Sequence, residues 1–270
     1  MKFDKSLISN NKKLTIFGGV NVIESDEVLF QVAEEFSNLS NELGFNYVFK
    51  ASFDKANRSS LDSYRGPGLE AGLESLERVK QRFDLPLITD IHEPKQAKIV
   101  AEVCEIIQIP AFLCRQTDLV VSAAKTKKIL NIKKPQFSSA SEMSHVISKC
   151  KSAGNEDVIL CERGNSFGYN NLVVDTLNFQ ILKDLEKPVF FDVTHSLQQP
   201  GALEKSTGGR GKYVFDLAKA GISQSIAGLF IETHPDPSKA KCDGPCALQL
   251  VELKSFLEKI LLLDEVVKKL

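Results

Sequence analysis

The chain has 270 residues, 43% hydrophobic and 26% charged, the profile of a water-soluble globular protein with a substantial core. Its 34 Lys and Arg balance 35 Asp and Glu, and a net charge of −1 excludes nucleic-acid or membrane-surface binding that rests on bulk charge. No apolar run approaches the roughly 20 residues of a membrane span, and the polar start MKFDKSLISNNKKL lacks an apolar signal core, so a cytoplasmic protein is expected.

Short apolar runs alternate with helical patterns along the chain. The expected strands are LTIF (14–17), YVFKASF (47–53), PLITDIH (86–92), IIQIPAF (106–112), ILNIKKP (129–135), DVILCERG (157–164), PVFFDVTH (188–195) and GLFIETH (228–234). Between the first strands, Val28, Val32, Phe36, Leu39 and Leu43 recur at spacings of three and four, as do Leu69, Leu73, Leu76, Val79 and Phe83. Their opposite faces are charged, as in helices packed by one face onto a sheet. In RGPGLE (65–70), Pro67 suits a first helical turn and Glu70 complements the helix dipole. Alternating strand and helix implies a parallel sheet with right-handed crossovers. Eight such units fit a closed (β/α)8 TIM barrel, expected at ~250 residues, forming one catalytic domain over residues 1–270. A doubly wound open sheet is the competing architecture, but FGGVN after the first strand lacks the GxGxxG spacing. The first 13 residues precede the barrel and are expected to cap its base.

In such barrels the C-terminal strand ends form the active face. Asn21 stands just after strand one, Lys50 and Lys55 on strand two, Asp90 and His92 on strand three and Gln108 on strand four. Lys133 follows on strand five, Arg163 on strand six, His195 on strand seven and Glu232 on strand eight. Charge inside a buried strand is costly unless paired or functional, so polar residues at all eight ends read as one site. Lys50, Lys55, Lys133 and Arg163 would converge there, and the nearby carboxylates Asp90, Glu232 and Asp243 are too few to account for them all. A multiply charged substrate such as a phosphorylated acid would satisfy the cluster. Of the adjacent Lys133 and Lys134, strand alternation admits one to the interior; Lys133 is chosen because Leu130, Ile132 and Lys134 then face the helices.

The loop NRSS (57–60) suits a second phosphate, with a polar lead into a helix cap as the alternative. His195, Glu232 and Asp243 could bind a divalent metal, or position a water and shuttle protons without one. The glycine-rich stretch 196–213 is expected to be a lid or binding element. Cys104, Cys114, Cys150, Cys161, Cys242 and Cys246 form no CxxC pair and read as reduced, mostly buried thiols, a metal knuckle at Cys242 and Cys246 being the minor alternative.

The segments FGGVNVIES, FKASFDKANRSS, YRGPG, TDIHEP, IQIPAFLCRQTDL, KKPQF, FDVTHSLQ, IETHPDP and KCDGP together resemble the 3-deoxy-D-manno-octulosonate 8-phosphate synthases, from the first strand almost to the C-terminus. The resemblance implies a barrel transferase, usually a homotetramer, that condenses phosphoenolpyruvate with arabinose 5-phosphate and water and releases inorganic phosphate. Its product feeds the inner core of lipopolysaccharide, and no cofactor is needed. By this resemblance Lys50, Lys55, Lys133 and Arg163 hold phosphoenolpyruvate, with Gln108 and the backbone around Ala111 against its phosphate and Asp90 alongside. Asn57, Arg58 and Ser59 grip arabinose 5-phosphate, and Arg115 matches an arginine that reaches the aldose phosphate across a subunit interface. His195, Glu232 and Asp243 match the polar set around the reacting carbons and water, joined by Asn21, with Lys133 as the proton donor to departing phosphate. Some members carry a cysteine in the first-strand motif, which binds a divalent ion with the His, Glu and Asp. Asn21 occupies that position here, and a carboxamide is a poor ligand for a thiophilic metal, so the resemblance is to the metal-independent class. The competing enzymatic readings are a related synthase using erythrose 4-phosphate and a Schiff-base aldolase. A non-catalytic sugar-phosphate-binding barrel is the alternative outside enzymes.

Overall fold

A computed structural model describes residues 3–201 and 208–270. Among these, eight parallel strands follow one another around a closed sheet: β1 (Thr15–Val22), β2 (Asn46–Ser52), β3 (Leu87–Asp90), β4 (Ile106–Ile109), β5 (Ile129–Lys133), β6 (Val158–Glu162), β7 (Val189–Asp192) and β8 (Gly228–His234). β8 returns to pair with β1, Thr15 opposite Gly228 and Gly19 opposite Glu232, which closes the barrel. A helix follows each strand: α1 (Asp26–Leu43), α2 (Leu69–Phe83), α3 (Gln96–Val103), α4 (Thr117–Lys125), α5 (Met143–Ser152), α6 (Leu177–Lys183), α7 (Val214–Ile222) and α8 (Leu253–Val267).

Local chemistry explains the element ends. The Ser25 side chain accepts the Val28 N–H and so caps α1, and Gly44 closes it in the left-handed conformation at φ 65°. The buried stripe of α1, Leu29, Val32, Ala33, Phe36 and Leu39, packs onto β1 and β2. α2 starts after Gly68, which leaves Pro67 outside the helix rather than in its first turn, while Glu70 does stand there. Several strands stop sooner than their apolar runs suggest. Pro110 and Pro135 lack the N–H that a continuing ladder would use, and Gly164 turns the chain at φ 84° just past β6. Lys55, His92 and Arg163 therefore stand in the loops beyond their strands, and His195 opens a 3-10 turn, His195–Leu197.

β1 departs in the other direction. The expected strand ends at Phe17, yet β1 runs on through Gly18 and Gly19 to Val22, so Asn21 lies inside β1. The missing side chains are needed there. A methyl on Gly18 would overlap the Phe36 ring, and one on Gly19 would strike the Lys50 carbonyl of β2. Phe36 stacks on Tyr47 of β2 with ring centroids 5.0 Å apart, and the Tyr47 hydroxyl donates to the Gly18 carbonyl at 3.1 Å.

Alternation along the strands divides the core in two. Outward residues pack with the helices, whereas Phe17, Val48, Ile88, Ile106, Ile129, Ile159, Phe190 and Phe230 point inward and fill the lower barrel. Ile8 belongs to that inner cluster and Phe3 packs against it. The Asn10 side chain donates to the Lys187 carbonyl at 3.0 Å and accepts the Val189 N–H at 2.9 Å. The N-terminal segment thus caps the barrel base. In the glycine-rich stretch, Gln198–Gln199 pairs with Gly208–Gly209 as a short antiparallel ribbon; residues 202–207 of the expected lid lie outside the described residues. Phe36→Ala is expected to cost about 3–5 kcal/mol, the usual penalty for emptying a buried aromatic site; a urea-unfolding change below about 1 kcal/mol would contradict this packing.

Candidate active site

Two residues beyond the apolar layer, the inward positions turn polar: Lys50, Asp90, Gln108, Asn131, Asp192 and Glu232 are all buried. The next inward step brings Asn21, Ser52, Lys133 and Arg163. Above them opens a cavity of ≈ 530 Å³. Its floor includes Asp90, Gln108, Lys133, Arg163 and His195, and Ala111 and Asp243 also line it. The loop after β2 adds Lys55, Asn57, Arg58 and Ser59 to the wall. Asn21, Lys50 and Glu232 lie among these groups without lining the cavity.

The buried charges are matched in a continuous chain. Lys50 Nζ reaches Glu232 Oε1 at 2.5 Å, and Lys55 Nζ lies 4.0 Å from the same oxygen. Lys133 Nζ binds Asp192 Oδ2 and sits 3.1 Å from the centroid of the Phe230 ring. His195 Nδ1 lies 2.7 Å from that same Asp192 oxygen, and its Nε2 lies 3.2 Å from Glu232 Oε2 and 3.9 Å from Asp243 Oδ2. Asn21 Nδ2 donates to Asp243 Oδ2 at 2.8 Å. Asp90 accepts the Ser52 hydroxyl and lies 3.0 Å from His92 Nε2.

This corrects the expectation that the cations of the mouth outnumber their partners. Asp192, overlooked in FFDVTH, serves Lys133, and Glu232 serves both Lys50 and Lys55. Arg163 is the exception. Its Nη2 donates to Gln198 Oε1 at 2.7 Å, its buried Nη1 has no partner, and it makes no ion pair among the described residues. Arg163 lines the cavity, so a guanidinium with no ion pair of its own among the described residues stands where an anion could enter.

Burial alone would raise the buried carboxylates, but the neighbouring cations overcome it. Lys55, His92 and Lys50 hold Asp90 well below the usual carboxylate range, and His195, Lys133 and Arg163 do the same for Asp192. Glu232 is lowered by His195, Lys50 and Lys55, and Asp243 by His195, Lys55 and the Asn21 hydrogen bond. Burial lowers Lys50 against the pull of Glu232, whereas for Lys55 the pull of Glu232 and Asp90 outweighs burial and raises it.

At the rim, Arg58 Nη1 donates to Cys242 Sγ and Nη2 to the Lys241 carbonyl at 3.3 Å. Burial pushes the Cys242 thiol up to about 12. Cys246 Sγ turns instead toward the Gly208 carbonyl, 3.8 Å away, so the two thiols do not share a partner. All six cysteines are buried and unbridged. Among the described residues, no three His, Cys, Asp or Glu side chains are grouped to hold a metal. Arg115 is exposed and outside the cavity of its own chain, its carbonyl accepting from Lys149. Alternation from Phe190 was enough to find Asp192, and from Ile129 to find Asn131, whose Nδ2 donates to Gln108 Oε1 at 3.1 Å. The Arg58 contact with Cys242, 184 residues apart in sequence, carries no such signal.

Depressed carboxylates bind fewer protons in the folded chain than in the unfolded one, so stability rises with pH across their range. Their contribution is complete above the ordinary carboxylate value of about 4 and is lost as pH falls toward the lower folded values of Asp90, Asp192, Glu232 and Asp243. Urea unfolding is expected to give lower stability at about pH 3 than at pH 7; equal stability would contradict the pairing scheme.

Comparison with known proteins places the chain in a family. The family model described as the DAHP synthetase I family matches residues 2–269. A protein of Pseudomonas fluorescens named 2-dehydro-3-deoxyphosphooctonate aldolase is 63% identical over 261 residues, covering 97% of this chain and 93% of that protein. Proteins of the same name from Pseudomonas syringae pv. tomato and Stutzerimonas stutzeri are 62% and 60% identical over the same shares. The chain is a member of the DAHP synthetase I family.

Proposed function

We propose that this chain is a transferase that condenses phosphoenolpyruvate with arabinose 5-phosphate and water, forming 3-deoxy-D-manno-octulosonate 8-phosphate and inorganic phosphate. The observation that carries the reading is one cavity lined by Lys133 and by Arg163, which has no ion pair among the described residues, together with Asn57, Arg58 and Ser59 of the loop after β2. A cavity of ≈ 530 Å³ lined by Lys55, Arg58, Lys133 and Arg163 suits two phosphorylated substrates. The name shared by relatives 60–63% identical to the chain supports the same product.

In this reading Arg163 and Lys133 hold the phosphate and carboxylate of phosphoenolpyruvate, while Gln108 and the backbone at Ala111 complete the contact. C3 of the enol attacks the aldehyde carbon, whose oxygen takes a proton. Water adds at C2, where positive charge develops, and loses a proton. The resulting hemiketal phosphate then collapses to the ketone as its C2–O bond to phosphate breaks, the hydroxyl proton leaving and Lys133 protonating the departing group. Asp192 holds His195 through Nδ1, which aims Nε2 toward Glu232 and Asp243. These groups, with Asn21, orient the water and the aldehyde oxygen.

We further read the site as metal-independent. Related sites that hold a divalent ion use a thiolate where Asn21 stands, and the Asn21 amide here donates to the Asp243 oxygen that would otherwise ligate. Glu232 is engaged by Lys50 at 2.5 Å. The residues present do not suit a transition metal, and no step runs through one.

We also propose a homotetramer in the cytoplasm, supplying the lipopolysaccharide inner core. Phe112, Phe137 and Phe167, in the loops after β4, β5 and β6, are each more than half exposed, an apolar surface at the barrel mouth that a second subunit would cover. The exposed Arg115 stands near Phe112 in the chain, in keeping with a contribution to a neighbour's aldose-phosphate site.

Release of inorganic phosphate from phosphoenolpyruvate should require arabinose 5-phosphate, be much slower with erythrose 4-phosphate, and be unchanged by EDTA. Preference for erythrose 4-phosphate, a borohydride-trapped pyruvyl adduct, or loss with EDTA restored by manganese or zinc would each contradict a part of this reading. Lys133→Met should lower turnover by about 10²–10⁴-fold, the usual contribution of a positioned proton donor; near wild-type turnover would remove Lys133 from the mechanism. Arg58→Ala should raise KM for arabinose 5-phosphate about 10–100-fold, the loss of a charge-assisted hydrogen bond, with KM for phosphoenolpyruvate little changed.

A further inference from the structure

Lys134 and Glu162 are both fully buried and take no part in lining the cavity. They stand on the outer face of the barrel at the ends of β5 and β6, with Lys134 Nζ 3.5 Å from Glu162 Oε1. Stability does not account for such a pair, because the loss of hydration of two charges offsets most of their attraction and an apolar pair would fill the space as well. What the pair does is geometric. Glu162 Oε1 accepts the backbone N–H of Arg163 at 2.9 Å and of Gly164 at 2.6 Å. The chain therefore wraps around the carboxylate, helped by the positive φ of Gly164, and the residue at the centre of the wrap is Arg163.

Lys134 secures the carboxylate from the neighbouring strand. Its N–H donates to the Cys161 carbonyl at 2.8 Å, and its Nζ donates to Asn165 Oδ1 at 3.0 Å and to the Pro135 carbonyl at 3.2 Å. The Asn165 amide then donates to the carbonyls of Gln136 and Ser138 at 3.3 and 3.0 Å, locking the loop after β6 to the loop after β5. Arg163 needs such support. It makes no ion pair among the described residues, and Gln198 holds only its Nη2, so the backbone it springs from carries much of its placement.

We propose that Glu162, clamped by Lys134, is a positioning residue that fixes the Arg163 guanidinium at the cavity floor for an anionic substrate. The proposal rests on the reading of that floor as the phosphoenolpyruvate site. The dipeptide Lys133–Lys134 thus divides its charges: one lysine faces the substrate inside the barrel, and the other, outside, holds the arginine that shares the task.

The test replaces the pair as a unit, so that no lone charge stays buried. In Lys134→Met/Glu162→Leu, KM for phosphoenolpyruvate should rise about tenfold or more, the scale expected of a displaced binding group, while KM for arabinose 5-phosphate stays within about twofold. Glu162→Asp, which keeps the carboxylate, should hold KM for phosphoenolpyruvate within about threefold of wild type. An unchanged KM for phosphoenolpyruvate in the double variant, or equal rises for both substrates, overturns the proposal. Should that variant not fold, Glu162→Gln decides: it keeps the shape but weakens the two N–H contacts, and a several-fold rise confined to phosphoenolpyruvate is expected, no rise being the contrary result. Absence of phosphoenolpyruvate binding by the wild-type protein, measured by calorimetry, would overturn the reading of the floor itself and this proposal with it.

Discussion

Lys133 and Asp192 meet inside a closed sheet, both almost fully buried, and the arrangement of the mouth follows from that pairing. The Asp192 oxygen that binds Lys133 also meets His195 Nδ1, so one carboxylate sets both the lysine and the imidazole. The other face of His195 then meets Glu232 and Asp243, which in turn engage Lys50 and Asn21. Removing one member would leave its partner charged and dry, a larger penalty than the pair's own worth. Arg163 is the place where the chain of pairs stops.

The barrel makes this arrangement feasible because its interior is layered. Large apolar side chains, among them Phe17 stacked on Phe190 at 4.1 Å, seal the lower half. Charges two residues higher therefore act in a water-poor site, where each interaction is stronger than at a surface. The same step along each strand brings residues from far apart in sequence to one level, which is how Lys50 reaches Glu232 across 182 positions.

Much of this was legible in the sequence. Strand–helix alternation led to the closed barrel, and the inward phase of Lys133 with Lys134 outward followed from simple period-two reasoning. Strand ends were less legible, because an apolar run continues into the turn residues: DVTH and CERG look extended, yet His195 and Arg163 lie past the last ladder bonds. β1 was cut short for the opposite reason. The apolar run ends at Phe17, and glycines carry no side-chain signal of a strand; the Phe36 ring and the Lys50 carbonyl explain why they belong in one. The carboxylate count failed at Asp192, whose apolar neighbours marked it as buried but whose partner lies 59 residues earlier. Contacts between loops, such as Arg58 with Cys242, depend on tertiary approach and have no periodic signature.

In the proposed function Arg163, which makes no ion pair among the described residues, anchors the enol phosphate. Titration calorimetry of phosphoenolpyruvate into wild type and Arg163→Ala, without the aldose, isolates that contact from chemistry. Affinity is predicted to fall about 10–100-fold in the variant, the loss of a hydrogen-bonded charge, with the wild-type affinity weakening as salt is added. Equal affinities of the two proteins would contradict the account.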